Sequence, residues 1–97
     1  MEEKIKRLHI IVEGFVQGVG FRFFVQEMAI SLNLFGWVRN RWDGSVEIVA
    51  EGEKGQLEQL LTLVYRGPRN ADVRGVSPQW LPATGEFKSF TIKNTSE

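Results

Sequence analysis

Apolar positions along this chain switch repeatedly between a period of two and a period near 3.6, and each switch marks an element. Leu8, Ile10 and Val12 alternate with His9, Ile11 and Glu13, which predicts a strand over 7–13. Residues 1–5 are mostly charged and are expected to fray. Phe21, Val25, Met28 and Leu32 then recur at helical spacing, predicting a helix over 22–32 with Asn33 as its stop. A second strand is expected over 34–41 and a third over 45–51, where Val46, Ile48 and Ala50 alternate with Glu47, Val49 and Glu51. Asp43-Gly44 between them is a hairpin signal. Leu57, Leu60, Leu61 and Val64 follow at i, i+3, i+4 and i+7, predicting a helix over 53–66 closed by Gly67-Pro68. A fourth strand is expected over 71–80, with a bulge at Gly75. Pro78 cannot donate to a ladder, so this strand belongs at a sheet edge. Residues 82–85 read as a turn and 87–93 as a short last strand.

The order β-α-β-β-α-β plus a short β predicts an α+β fold of the ferredoxin-like, split β-α-β kind. Both helices should cover one face of an antiparallel sheet in strand order 4-1-3-2. Strands one and two then end at the same end of the sheet. That end collects the stretch after the first strand, Gly14-Phe15-Val16-Gln17-Gly18-Val19-Gly20-Phe21-Arg22, and Asn40 at the end of the second.

The nine-residue stretch is the candidate site. Its glycines permit positive φ and leave backbone N–H groups uncovered. Bare N–H groups of Phe15, Val16, Gln17, Gly18, Val19, Gly20 and Phe21, next to a helix N-terminus, form an anion nest. Arg22 adds a planar fork that matches a phosphate. It is otherwise badly placed, a cation at the positive end of a helix, and a bound anion would compensate. Phe23 lies off the apolar stripe and is expected to flank the cradle. Gln17 is expected to bridge the loop internally. Trp37 and Trp42 are expected to serve packing and turn cover, and His9 to stand outside the site.

Composition narrows the function. Ninety-seven residues make one domain, 1–97, and a 42% hydrophobic share suits a globular core. Twelve basic and twelve acidic residues cancel, which argues against broad nucleic-acid or membrane-surface binding. The same topology serves RNA readers, but acids and aliphatics on the outer strand faces argue against base stacking. There are no cysteines, so disulfides, thiolate metal sites and thiol catalysis drop out. No apolar run reaches membrane-spanning length and the N-terminus does not read as a signal peptide, so a cytoplasmic monomer is expected.

The chemistry of the stretch is also bounded by what it lacks. No GK[ST] follows the glycines, so a P-loop is unsupported, and no third glycine completes a dinucleotide fingerprint. One histidine and scattered carboxylates assemble neither a metal site nor a serine triad. Glu13 and Asp43 are the nearest acids, read as a solvated strand residue and a turn residue. A hydrolase built this way would work without metal, nucleophile or general acid. Acyl phosphates permit that, because the leaving carboxylate has a conjugate acid of pKa about 4 to 5 and needs no proton. Positioning and charge stabilisation then suffice. The nest and Arg22 would hold the phosphoryl oxygens, and Asn40, with both a donor and an acceptor, could orient a water in line.

The stretch 14–22 resembles the first signature of the acylphosphatases, and GWVRNRWDGSVEIVAEG over 36–52 resembles the second. Strand and helix order agree with that family over nearly the whole chain. The resemblance implies metal-independent hydrolysis of acyl phosphates with no cofactor, Arg22 binding phosphate and Asn40 ordering the attacking water. Inorganic phosphate or sulfate is then an expected competitive ligand. The alternative is a non-catalytic anion-binding or regulatory module, since the family's fold also occurs as a domain of a larger hydrogenase maturation protein.

Overall fold

The computed structural model describes residues 5–96. Its elements are β1 (Ile5–Phe15), α1 (Phe21–Ser31), β2 (Phe35–Asn40), β3 (Val46–Glu53), α2 (Lys54–Arg66), β4 (Asp72–Pro82) and β5 (Phe90–Ile92). Of the stretch expected to fray, Ile5 already belongs to β1, and residues 1–4 lie outside the described residues. The strands form one sheet in the order β4-β1-β3-β2-β5. The fold is ferredoxin-like α+β, with β4 at an edge as Pro78 requires.

Leu8, Ile10 and Val12 of β1 and Val46, Ile48 and Ala50 of β3 are fully buried against the helices. Phe21, Val25 and Ala29 of α1 and Leu57, Leu60 and Val64 of α2 close the core from the other side. Burying such side chains contributes roughly 1.5–3 kcal/mol each against leaving them exposed. Asn33 takes φ 60 just past α1, the left-handed stop that its position predicted.

The strand pairing differs from the sequence reading in two details. Glu13 pairs with Gly75 and Gly14 with Val73, so the unpaired bulge residue is Arg74, one position before the glycine. The sheet is also not wholly antiparallel, because β5 runs parallel to β2. β4 ends opposite the start of β1, at the end of the sheet where β2 begins. A chain that crosses the sheet there can only start β5 in the direction of β2.

That crossing is tied down by Glu51. Its carboxylate accepts from Arg7 Nε at 2.7 Å, Thr84 N at 2.8 Å, Thr84 Oγ1 at 3.1 Å and Gly85 N at 3.0 Å. Glu51 is 4% exposed and Val49 is 5% exposed, so the second face of β3 is covered rather than solvated as its alternation suggested. Further along that face, Glu47 accepts from Arg39 Nε at 2.8 Å and lies 2.7 Å from His9 Nε2. Burial pushes both carboxyls up in pKa, but the hydrogen bonds outweigh it and hold both below the ordinary value. Trp37 packs between the Arg39 guanidinium and Lys93 Nζ, 4.9 Å and 4.6 Å from its ring centre. Trp42 stays 70% exposed, so it covers little of its turn.

Candidate functional site

β1 runs beyond its expected end to Phe15, and the loop 16–20 then turns the chain into α1. Gly18 has φ 75 and Gly20 φ 80, both left-handed. A β-carbon added at either would meet no atom within 4 Å, so conformation rather than space calls for glycine. Gly20 caps α1, and the first helical bond runs from Phe24 N to its carbonyl at 3.0 Å. None of the N–H groups from Val16 to Phe23 donates to an acceptor among the described residues. An uninterrupted series of donors is thus left for an oxyanion at the positive end of α1.

Arg22 is the second residue of α1 and is half-buried. Its guanidinium has no ion pair or hydrogen bond among the described residues, and the first turn of α1 holds no acid. Asn40 closes β2. Val46 pairs with Val12 on one side and with Asn40 on the other, so Asn40 lies two strands from Val12, about 10 Å across the sheet. The Asn40 carbonyl accepts from Ser96 N at 3.1 Å, and its side-chain amide has no partner among the described residues.

A cleft of about 220 Å³ is lined by Val16, Gly18, Gly20, Phe21, Arg22, Phe23 and Asn40. Arg22 and Asn40, eighteen positions apart in sequence, therefore share one cavity. Phe23 stands at it with 68% of its surface exposed, flanking the cradle as its place off the stripe suggested. Three residues of the expected cradle do not line the cleft. Phe15 pairs with Asp72 at the end of β1, and Val19 packs toward the core. Gln17 turns away from its own loop: its Nε2 donates to the carbonyls of Arg41 at 2.8 Å and Ser45 at 2.9 Å. The expected internal bridge is instead a bridge to the β2–β3 hairpin.

Neither nearby acid lines the cleft. Asp43 accepts from Ser45 Oγ at 2.6 Å and Ser45 N at 2.9 Å, and these bonds hold its pKa below the ordinary value. Glu13 is exposed at the β4 edge, beside Gly75. A larger cleft, about 440 Å³, opens at the opposite end of the sheet. It is lined by Glu51 and Glu53 and by no arginine or lysine, so it offers no cation to a phosphate. Among the described residues no three His, Cys, Asp or Glu side chains gather, and no helix is long and apolar enough to cross a membrane.

Sequence reasoning passed over Ser96, whose N–H and carbonyl bond Asn40 and Trp42 on the far side of the hairpin. Backbone pairing of this kind leaves no trace in residue type. The arrangement can hold a tetrahedral oxyanion by backbone donors and a guanidinium, and can present one neutral amide to it.

The family model described as Acylphosphatase matches residues 8–92. An acylphosphatase of Moorella thermoacetica is 47% identical over 89 residues, covering 92% of this chain and 95% of that protein. One from Marinobacter nauticus is 51% identical over 86 residues, covering 89% and 94%. The crystal structure of an acylphosphatase from Bacillus subtilis superposes with TM-score 0.88 at 41% identity, over 91% of this chain and 98% of that one. Full-length HypF, in a phosphate- and nucleotide-bound form, superposes with TM-score 0.88 at 28% identity, over all of this chain but 13% of that much longer one.

Proposed function

The chain belongs to the acylphosphatase family and hydrolyses acyl phosphates, and on that premise we propose how its residues divide the work. The N–H groups of the cradle and the Arg22 guanidinium bind the phosphoryl oxygens. Asn40 orients a water in line with the scissile bond. The water oxygen bonds to phosphorus, the bond from phosphorus to the acyl oxygen breaks, and the carboxylate departs with the electron pair. Both water protons end on inorganic phosphate, so the balance needs no general base. The leaving carboxylate is stable unprotonated, so no acid is needed either.

One observation carries the division of roles. The cleft holds an unpaired guanidinium and an unpaired amide together with a run of free N–H groups. The guanidinium is matched to charge on phosphate and the amide to a neutral water. Preorganised donors of this kind typically contribute about 10² to 10³ in rate apiece. The same reading takes the chain as a single-domain, metal-independent monomer in the cytoplasm, with inorganic phosphate or sulfate competing for the cradle.

The test is calorimetric phosphate titration beside acetyl phosphate turnover, with EDTA present throughout. Asn40→Ala should lose about 10² to 10³ in kcat and keep its phosphate affinity, whereas Arg22→Ala should lose phosphate binding. Equal loss of phosphate affinity in both variants would overturn the division. A parent enzyme inactive in EDTA and restored by a divalent ion would overturn the metal-free mechanism.

A further inference from the structure

We infer that Gln17 is a positioning residue for the reaction, holding Asn40 at its working distance from the phosphate cradle. The inference rests on the roles proposed above for Asn40 and the cradle.

Catalysis by an oriented water requires two parts of the chain to keep a fixed separation. The cradle hangs from the end of β1 and the amide of Asn40 from the end of β2. Between them stands β3, and beyond Val46 the sheet offers no further ladder pair, because the Asn40–Val46 pair is the last of β2 and β3. The Asn40 side chain has no hydrogen bond of its own among the described residues. Its position is inherited from its backbone and from the hairpin that follows it.

Gln17 is the side chain that joins the loop 16–20 to that hairpin. One amide nitrogen supplies both bonds, 2.8 Å to the carbonyl of Arg41 and 2.9 Å to the carbonyl of Ser45. Those carbonyls flank the turn, and Arg41 N donates to the second of them at 2.9 Å. Arg41 is the residue after Asn40. Gln17 therefore grips the chain one peptide unit from the orienting amide, while its own neighbours Val16 and Gly18 line the cleft. No other hydrogen bond between side chains or backbone joins the loop 16–20 to residues 40–46 among the described residues. Shape explains the residue type: an amide offers two hydrogens on one nitrogen, enough for two carbonyls, which neither a hydroxyl nor a carboxylate can do.

A misplacement of about 1 Å in such a site costs about 10²-fold in rate. Gln17→Leu keeps the approximate volume and removes both donors. In acetyl phosphate turnover its kcat should fall about 10- to 100-fold, while inhibition by inorganic phosphate changes less than about threefold. In an Asn40→Ala background the same substitution should cost less than about twofold, because the group it positions is gone. Gln17→Glu gives a second readout that does not depend on the first variant folding. A carboxylate facing two carbonyls repels them and has a raised pKa, and its protonated form donates once. Its kcat should therefore rise as pH falls from 8 to 5, where the parent stays flat.

Multiplying losses in the double variant would overturn the inference while leaving Asn40's role intact. So would a kcat for Gln17→Glu that tracks the parent at every pH. Full activity of Asn40→Ala alone would overturn both this inference and the reading beneath it.

Discussion

Arg22 sits at the second position of α1, where a cation meets the positive end of the helix and finds no acid in the first turn. Such a placement is unfavourable by about 0.3–1 kcal/mol until an anion arrives. Arg22→Lys keeps the charge and loses the fork, so acetyl phosphate turnover should drop by roughly 10³-fold, as for other arginines in phosphoryl transfer. The melting temperature without phosphate should hold or rise. A variant within threefold of the parent would make Arg22 a structural residue. Arg22 and Asn40 could be picked out from the sequence because the element order brings their positions to one end of the sheet and because both fall in stretches that resemble the family's signatures. The partners of Gln17 could not. They are main-chain carbonyls, and every residue has one, so nothing in the identity of Arg41 or Ser45 points to the bond. Glu51 hid for the same reason. Its alternation with buried neighbours read as solvent-facing, while its acceptors are satisfied by backbone N–H groups at Thr84 and Gly85, more than thirty positions away.

Among the elements, β1 has two duties: it is a central strand and the stem of the cradle. Gly14 is where they meet. It has φ 126, and a β-carbon placed there would lie 2.2 Å from the carbonyl oxygen of Asp72 and 2.8 Å from Arg74 N. Both obstacles are backbone, held by the β1–β4 ladder on either side of the Arg74 bulge, so neither can step aside cheaply. Gly14→Ala should destabilise the fold by about 2–4 kcal/mol, through strain at that φ together with overpacking. At this chain length that lowers Tm by about 8 °C or more, at about 4–8 °C per kcal/mol. A shift under 3 °C in a thermal melt would mean that β4 yields there. Periodicity found both helices and the first and third strands, and the Gly and Pro breakers delimited the last two. It placed the bulge one residue late, since a glycine in a strand signals that some irregularity is near without saying which neighbour is unpaired. It also missed the parallel pairing of β5, which follows from where β4 ends rather than from the composition of a three-residue strand.

The whole molecule separates its two ends. The cleft shared by Arg22 and Asn40 lies where β1 and β2 finish, and the last crossing of the chain is anchored on Glu51 where β3 finishes. Stability should therefore respond to pH through Glu51 while the cleft keeps its geometry. Its carboxyl lies below the ordinary value of 4.5 when folded. A depressed carboxylate stabilises above the unfolded pKa and loses that contribution as pH falls through the folded one. Urea midpoints should thus decline as pH drops below about 4.5, on the side-chain scale of an unfolded glutamate. In Glu51→Gln the neutral midpoint should fall by the equivalent of about 1–3 kcal/mol and the acid decline should flatten. An unchanged acid slope would assign the effect elsewhere, with Glu47 the next carboxyl in line. The strand order has a further consequence, in the time domain of synthesis. β1 is made before β3 and β4, yet it is enclosed between them, and its pairing with β4 runs from Lys6–Pro82 to Phe15–Asp72. On a ribosome adding about 5–20 residues per second, the stem of the cradle waits several seconds for its second neighbour. Through that interval Leu8, Ile10 and Val12 have an open edge beside them. The strand that carries the proposed cradle thus waits longer for its second neighbour than β2 does, and the loop at its end stays tethered to an open-edged strand until β4 arrives.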